Sequence, residues 1–531
     1  MPEMSHRDHI NSIKRGDRRE FLYERKLCEL CGFCAERRGR IRSVGVCVAI
    51  LNLALAAVPA RAQELPLAQV LPDLILREIV LQRGTAGPPH QAHFSPLTND
   101  LNNPVVGIVQ SFNTQMATQF STFPLGSSSG GMTYVFDESL GTLRRGSMSF
   151  GPLFAERALT IGRRKFSAGV NYQRTSYNTF EGQNLGDGSI KFYLRHQDCC
   201  TFNLLPQAPF FEFFNNQPDG SRLTPPFEGD IIEAALSLKA TTHTTAVFAN
   251  YGITDRWDVG LAVPFVRVNL DASVTARILR LVTCPSQAEC APDTHTFELG
   301  NPNATQTVQH SGYAAGLGDV VLRTKYHVLR EAGGGLAVAV DLRLPTGDKN
   351  ELLGAGGTEA KFLLIASRER GRLGQHVNIG YTAAHGDVAG TVAGLSGASL
   401  PDEINYTGGV EFVASPRLTV IGDVVGRTLR GAGRLDVTSK TFQYSTFPPG
   451  FSPDAGPQQF VEAGVLSFPT SSVSLDELTP RSGNLTLLLG TGGVKFNLGG
   501  NLLISGSVLF PLTNAGLRSR VTTVIGLDYA F

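Results

Sequence analysis

The chain has 531 residues, 42% of them hydrophobic and 18% charged, with a formal net charge of +1 at pH 7. The charged fraction is below the roughly 25% of average soluble proteins, and the near-neutral balance argues against a nucleic-acid partner. No apolar run of about 18 or more residues occurs, which excludes a transmembrane helix and leaves either several domains or one large barrel.

Residues 37–62 contain the three parts of a secretory signal peptide in the expected order. A basic stretch that begins with Arg37 and Arg38 precedes the apolar core Val44–Ala57, and an A-x-A pattern ends at Ala62. The alternative is a short buried helix. We predict a signal peptide with cleavage between Ala62 and Gln63, and therefore export.

Residues 1–36 precede this signal and are polar and charged, unlike the start of a signal peptide. We interpret them as an N-terminal extension and expect the true translation start to lie downstream of Met1. Cys28, Cys31 and Cys34 have a spacing that can hold a metal or an iron–sulfur cluster. No fourth ligand follows at a suitable spacing, so we predict no metal site and no cofactor.

Residues 63–162 carry few clear signals. A short helix is one interpretation of residues 65–82, and the GSSSGG run of residues 126–131 is a turn. That run lacks the Lys-Ser/Thr pair of a phosphate-binding loop. Three alternatives remain for this N-terminal segment: a plug inside a barrel, a periplasmic segment, or one or two first strands.

Strand patterns begin at residue 163. Residues 257–265 (WDVGLAVPF) and 336–344 alternate between large apolar and small or polar side chains, which is the period of a β-strand. The last strand alternates in the same way and ends with Tyr529 and Phe531. Such an ending resembles the closing strand of bacterial outer-membrane barrels, although a soluble strand could also produce it.

The spacing between strands favours a membrane barrel over a sandwich or propeller. Long loops are predicted after His196, Leu270, Leu344, Thr382 and Arg430. Short turns are predicted near Asp255, Gly333, Arg372, Ser415 and Gly499. This alternation is typical of transmembrane barrels, which have short periplasmic turns and long outer loops. We therefore predict an all-β fold, an antiparallel transmembrane β-barrel of about 12–16 strands, formed by residues 163–531.

Two groups of residues are candidates for solute contact. The first is the aromatic cluster of the loop after His196, which could offer an apolar landing site or could simply pack that loop: Phe202, Phe210, Phe211, Phe213 and Phe214. The second group could line the lumen with charge or could brace the barrel in a solvated network: Asp319, Arg323, Lys325, Asp341 and Arg343.

Three segments carry a family resemblance: YGITDRWDVGLAVPF (Tyr251–Phe265), GLGDVVLRTKYHV (Gly316–Val328) and LRLPTGD (Leu342–Asp348). Together they resemble the MetA-pathway phenol-degradation family, whose members are outer-membrane transport channels related to fatty-acid and aromatic-hydrocarbon uptake barrels. The resemblance covers residues 231–531. It implies transport across the outer membrane of a Gram-negative-type bacterium, and it identifies no substrate-contacting residue because the shared motifs are strand and turn features.

We therefore predict a channel for passive uptake of small, hydrophobic or aromatic molecules, with outer-membrane lipid, the barrel-assembly machinery and the solute as partners. Two alternatives are a general porin-like pore and a structural or adhesion barrel that acts through its outer loops. An enzyme is not predicted, because the sequence has no G-x-S-x-G elbow and its histidines lack a partner pattern.

Overall fold

The computed structural model describes eleven stretches of the chain: residues 65–79, 104–121, 131–137, 142–194, 229–282, 296–298, 305–331, 333–388, 398–451, 462–464 and 468–531. All of them lie in one compact unit that comprises residues 64–531.

Twelve antiparallel strands form a closed barrel. The first strand of the ring, β3 (Phe166–Phe180), pairs with the last strand, β19 (Leu517–Ala530), on one side and with β6 (Ile231–Gly252) on the other, so the sheet has no open edge around the ring. Closure gives hydrogen-bond partners to the backbone groups that an open sheet would leave unpaired at its two edges. The ring consists of β3 (Phe166–Phe180), β6 (Ile231–Gly252), β7 (Trp257–Leu279), β9 (Val320–Glu331), β10 (Gly334–Leu344), β11 (Gly357–Arg370), β12 (Leu373–Gly386), β13 (Glu403–Ser415), β14 (Leu418–Leu429), β17 (Leu485–Gly499), β18 (Leu502–Pro511) and β19 (Leu517–Ala530).

The two ends of the barrel differ in the length of their connections. Five short turns, which follow β6, β9, β11, β13 and β17, lie at one end, as predicted. We call it the short-turn end, and the chain also finishes there, where the Phe531 N–H donates to the Phe166 carbonyl at 2.7 Å. The opposite, long-loop end carries the connections 345–356, 387–402 and 430–484. The predicted barrel fold is confirmed, at the lower limit of the predicted strand number.

Several strands continue beyond the ring at the long-loop end. The predicted loop after Leu270 is wrong, because β7 runs on to Leu279 and pairs there with β8 (Thr305–Leu317). β8 and β9 are two halves of one long strand, separated only by Gly318 and Asp319. β5 (Ile190–Leu194) extends the outer part of β6, and β4 (Gln183–Asn184) forms a short hairpin with β3. Alternation alone could not show where the barrel wall ends, since these strands keep the same period throughout.

Further elements lie outside the ring. Helix α1 (Val70–Leu76) follows a short 3₁₀ turn at Leu67–Gln69, and helix α2 is Pro104–Ser121. Neither of these helices is long and apolar enough to cross a bilayer. Strands β1 (Tyr134–Asp137) and β2 (Thr142–Arg145) form one hairpin, and β15 (Arg434–Ser445) and β16 (Thr470–Arg481) form another. The second hairpin lies in the long loop predicted after Arg430, one of the places where the predicted range of 12–16 strands allowed further strands.

The wall of the barrel is apolar outside and polar inside. Large side chains such as Phe362, Ile379 and Ile525 face outwards, and the last two are 57% and 58% exposed. The buried, inward-facing positions carry instead many charged or amide side chains: Asp258, Lys325, Asp341, Glu359, His376, Asn378, Glu403, Asn405, Glu411, Asp423, Lys495 and Asp528. This arrangement is the inverse of a soluble protein and is that of a barrel surrounded by lipid.

Candidate functional site

A stretch of irregular backbone, residues 147–162, runs inside the barrel towards its short-turn end. We call it the lumen segment. Nearly all of its residues are buried. Its backbone N–H groups donate to inward-facing side chains of four strands, which replace the partners that a sheet would give: Phe150 to Thr419, Leu153 and Phe154 to Asp423, Glu156 to Asn378, Ala158 to Ser367 and Ile161 to Asp258. A fifth strand contributes Lys325, whose ammonium donates to the Leu159 carbonyl.

Glu156 is the charged centre of this attachment. Its carboxylate accepts from Arg323 Nη1 at 2.5 Å and from Lys325 Nζ at 3.4 Å. Arg323 also binds both oxygens of Asp341 at 2.5 Å. Because these groups are almost fully buried, each charge needs the others. The lumen segment is therefore tied to β9 and β10 by a compact ion-pair network.

A second cation holds the other half of the lumen segment. Lys495 on β17 is buried, and its ammonium donates to the carbonyls of Pro152 at 2.7 Å and Phe150 at 3.3 Å. Buried ammonium groups are costly unless they are hydrogen-bonded. The carbonyls of an irregular segment supply these acceptors, which a regular strand would have used in its own ladder.

Asp423 and His376 bridge two strands that are not neighbours. His376 Nε2 on β12 lies 2.7 Å from Asp423 Oδ1 on β14, and both side chains are buried. Strand β13 lies between them and contributes Gly409. A β-carbon at Gly409 would lie 2.2 Å from Asp423 Oδ1 and 2.8 Å from His376 Nε2. The pair can therefore form only because this position has no side chain.

Replacing Gly409 with alanine is accordingly expected to separate His376 from Asp423 and to weaken the binding of Leu153 and Phe154. We expect a loss of about 2–4 kcal/mol in the free energy of unfolding, because a buried carboxylate loses a hydrogen-bond partner. Urea titration of the folded barrel in detergent measures this loss. Gly422→Ala is the matched control, since the nearest atom to a β-carbon there is 4.0 Å away. Equal stability of the two variants would contradict the prediction.

A cavity of about 210 Å³ lies in the lumen beside the lumen segment. Its wall is strongly polar, with cations and carboxylates paired across neighbouring strands. Arg343 Nε lies 3.2 Å from Glu359 and Arg427 Nη1 lies 3.6 Å from Glu403. The cavity can hold water and polar groups, and its charges nearly balance. Glu156, Arg518, Lys361 and the Arg323–Asp341 pair complete its charged lining.

Helix α2 lies over the cavity on the side of the long-loop end. The Tyr177 hydroxyl donates to the Gln119 carbonyl at 3.2 Å, and Arg343 Nη1 donates to the Ser121 carbonyl at 2.8 Å. Both acceptors belong to the last turn of the helix, whose carbonyls lack intrahelical partners. Aromatic contacts add to this attachment: Phe120 packs on Tyr177 with ring centres 4.9 Å apart, and Phe112 packs on Phe180 at 4.1 Å. The two helices and the outer parts of β5–β8 share one apolar core.

Asp319 lies in the break between β8 and β9, at the rim of the barrel on the long-loop end. Its two oxygens accept the backbone N–H groups of Gly347 at 3.0 Å and Ala355 at 2.8 Å, and so fold the loop 345–356 against the rim. Burial raises the pKa of this carboxyl above its ordinary value, and the two hydrogen bonds oppose that shift. The P-T-G-D motif thus serves to shape a loop.

The structure brings together four of the five charges selected from the sequence. Arg323, Asp341 and Arg343 line the cavity, and Lys325 on β9 donates to the lumen segment, whereas Asp319 belongs to the rim. The five phenylalanines of the predicted landing site and the Ala62–Gln63 cleavage site lie outside the described residues. Tyr529 and Phe531 pack edge-on, with ring centres 4.5 Å apart, on the exterior of the barrel.

Sequence reasoning missed the other half of the site. Glu156, His376, Asp423 and Lys495 are as important to the lumen as the predicted charges, but they lie far apart in the chain. One signal was available in the sequence: His376, Asp423 and Lys495 are each an ionisable residue at a strand position that the alternation directs away from lipid. Within the described residues, no three His, Cys, Asp or Glu side chains are arranged to hold a metal ion.

Residues 215–390 match the protein family described as "Putative MetA-pathway of phenol degradation". The resemblance inferred from the three sequence motifs is thereby confirmed for this part of the chain. No curated protein matches the sequence.

Among solved structures, an outer membrane channel from Pseudomonas putida F1 is similar at 9% identity and a TM-score of 0.37, over 70% of this chain and 98% of that one. A Pseudomonas aeruginosa FadL homologue is similar at 11% identity and a TM-score of 0.28, over 77% and 98% of the two chains. The CymD monoaromatic hydrocarbon channel is similar at 8% identity and a TM-score of 0.28, over 76% and 97%.

Proposed function

We propose, from the family match of residues 215–390, that this barrel is an outer-membrane channel for the passive uptake of small, hydrophobic or aromatic molecules in a Gram-negative-type bacterium. The observation that carries the proposal is the inverted wall, apolar towards lipid and ionic towards the lumen. A closed barrel of this kind encloses a route across the membrane. We propose transport rather than catalysis.

The lumen segment and helix α2 give this channel a closed state. We propose that residues 63–162 act as a plug, with the lumen segment filling the short-turn end and α2 covering the cavity at the other end. In this proposal the long-loop end faces outwards and the short turns face the periplasm. Passage through the lumen then requires the lumen segment to move, and its ion pairs set the cost of that movement.

The apolar core around α1, α2 and the outer parts of β5–β8 supports a hydrophobic solute. It lies at the end from which a solute would arrive.

The exterior of β19, with Tyr529 and Phe531, is proposed as the segment that the barrel-assembly machinery recognises during insertion.

One observation favours a second candidate function, a general porin-like pore. The cavity is lined by ion pairs, and such a lining suits water and polar solutes better than an aromatic ring. The two functions predict different solutes for the same barrel.

The test is uptake by Gram-negative cells that express the chain, because their glycolipid leaflet itself slows hydrophobic compounds. We expect uptake of a labelled aromatic hydrocarbon to rise several-fold over cells that carry an empty vector, with little change for a small sugar. The reverse pattern would identify a porin-like pore. No change for either solute, with the folded barrel present in the outer membrane, would overturn both functions.

A further inference from the structure

Three basic side chains stand side by side on the exterior of the barrel, on neighbouring strands. His243 of β6 is directly opposite Arg174 of β3 on one side and directly opposite Arg267 of β7 on the other. We call these three residues the basic row. Both arginines are exposed and His243 is partly exposed. The two arginines therefore lie at the same height on the exterior, with only one strand between them.

The two arginines have no carboxylate partner among the described residues, whereas Arg277, ten residues further along β7, is paired with Glu233 at 3.0 Å. The Arg267 guanidinium packs over the Tyr313 ring at 5.8 Å. The hydroxyl of Tyr172 and Nδ1 of His243 are 2.7 Å apart. With that hydroxyl donating to Nδ1, Nε2 carries the ring proton and remains a donor.

The height of the basic row coincides with the outer limit of the apolar belt. Tyr251 and Trp257 are exposed aromatic residues at the short-turn end of the exterior. His243 lies eight positions before Tyr251 on β6, and Arg267 lies ten positions after Trp257 on β7. At about 3.4 Å per residue these distances are roughly 27 and 34 Å along the strands. A strand tilt of about 40° reduces them to roughly 21 and 26 Å, against an apolar belt about 25 Å tall.

The neighbours of the row mark the same boundary. On the side towards the membrane centre, Tyr172 and Phe265 flank Thr245 in register. On the side towards the long-loop end, Lys239 is opposite Asp271, so the charges there are already matched. The unmatched cations are thus confined to the level at which lipid headgroups meet the wall.

We propose that Arg174, His243 and Arg267 bind the phosphate groups of the phosphorylated glycolipid of the outer leaflet. Arginine is suited to this task, because its planar fork donates two parallel hydrogen bonds to one phosphate. Two arginines separated by a histidine donor can hold the head of one lipid on three adjacent strands. This inference rests on the proposed outer-membrane location but not on which solute the channel carries.

The test is native mass spectrometry of the purified full-length barrel in detergent, titrated with diphosphorylated lipid A, with the same lipid after phosphate removal, and with phosphatidylcholine. We expect tight adducts only with the phosphorylated glycolipid. The triple variant Arg174→Gln, His243→Gln and Arg267→Gln is expected to lose about tenfold or more in affinity, the size of one or two lost charged hydrogen bonds.

The control is the double variant Arg372→Gln and Arg417→Gln, which also removes two arginine charges, but from exposed positions in the short turns. It should bind the lipid like the wild type. Arg174→Lys with Arg267→Lys should retain part of the affinity, because the charge remains while the planar fork is lost. Heat-dependent mobility of each variant in gels reports whether it is folded. Equal affinity of the folded triple variant and the wild type would overturn the proposal, as would an equal loss in the Arg372/Arg417 control.

Solute uptake by the same variants separates this proposal from the proposed function. We expect the triple variant to transport solute when it is inserted in glycolipid-free bilayers. A barrel that binds the glycolipid but transports nothing would leave the basic row established and the channel function refuted.

Discussion

Replacing Glu156 with alanine is expected to lower the free energy of unfolding of the barrel by about 3 kcal/mol. The substitution removes the carboxylate that lies between Arg323 and Lys325, at 2.5 and 3.4 Å from their nitrogens. Lys325 is 1% exposed, so water cannot replace the lost partner. Urea titration in detergent, followed by the mobility of the folded form in gels, measures the loss.

The matched control is Asp436→Ala in the outer hairpin. Asp436 also binds an arginine, Arg481, at 3.1 Å, but that arginine is 70% exposed. An exposed pair contributes about 0–1 kcal/mol, so the control should hardly change the stability. Equal losses in the two variants would show that Glu156 does not hold a buried charge network.

Glu156→Ala should also change conduction, which tests the role of the lumen segment. Loss of the carboxylate removes the strongest attachment between this segment and the barrel wall. In a planar bilayer we expect the variant to open more often than the wild type, while each opening has a similar conductance. If the variant is demonstrably destabilised but opens as often as the wild type, Glu156 stabilises the barrel without controlling its opening.

The barrel itself could be predicted from the sequence because its rules are local. Alternation fixes which side chains face lipid, and turn residues such as Gly333 and Gly371 take positive φ at the short turns. The five short turns and the closing of the ring followed from these signals. The exceptions are strands that continue beyond the membrane: β7 keeps its alternation to Leu279, where nothing in the pattern records that lipid has ended.

The contents of the lumen could not be predicted in the same way. Residues 147–162 have no period, because their backbone is satisfied by side chains that lie up to about 345 positions away. Helix α2 was missed as well, since most of its residues are Val, Ile, Ser, Thr, Phe, Asn or Gly, which are weak or intermediate helix formers. It is held by contacts such as Phe112 with Phe180 and Tyr177 with the Gln119 carbonyl, which exist only in the folded barrel.

Fixing the lumen segment to the wall is expected to abolish conduction. Ala158 N lies 2.9 Å from Ser367 Oγ on β11, so cysteines at these two positions are close enough to be linked. The double variant Ala158→Cys and Ser367→Cys, in a background with the native cysteines replaced by serine, should conduct like its parent when reduced. Oxidation should remove its openings, and added reductant should restore them within the same bilayer.

The single variants Ala158→Cys and Ser367→Cys supply the control, since oxidation cannot link them to the other position. The decisive case is an oxidised, fully linked barrel that still conducts or still takes up an aromatic solute. That result would mean that the route does not pass the lumen segment, because a chain fixed to β11 fills the short-turn end. The ion pairs of Glu156 would then be structural, and the solute would have to leave through the wall of the barrel.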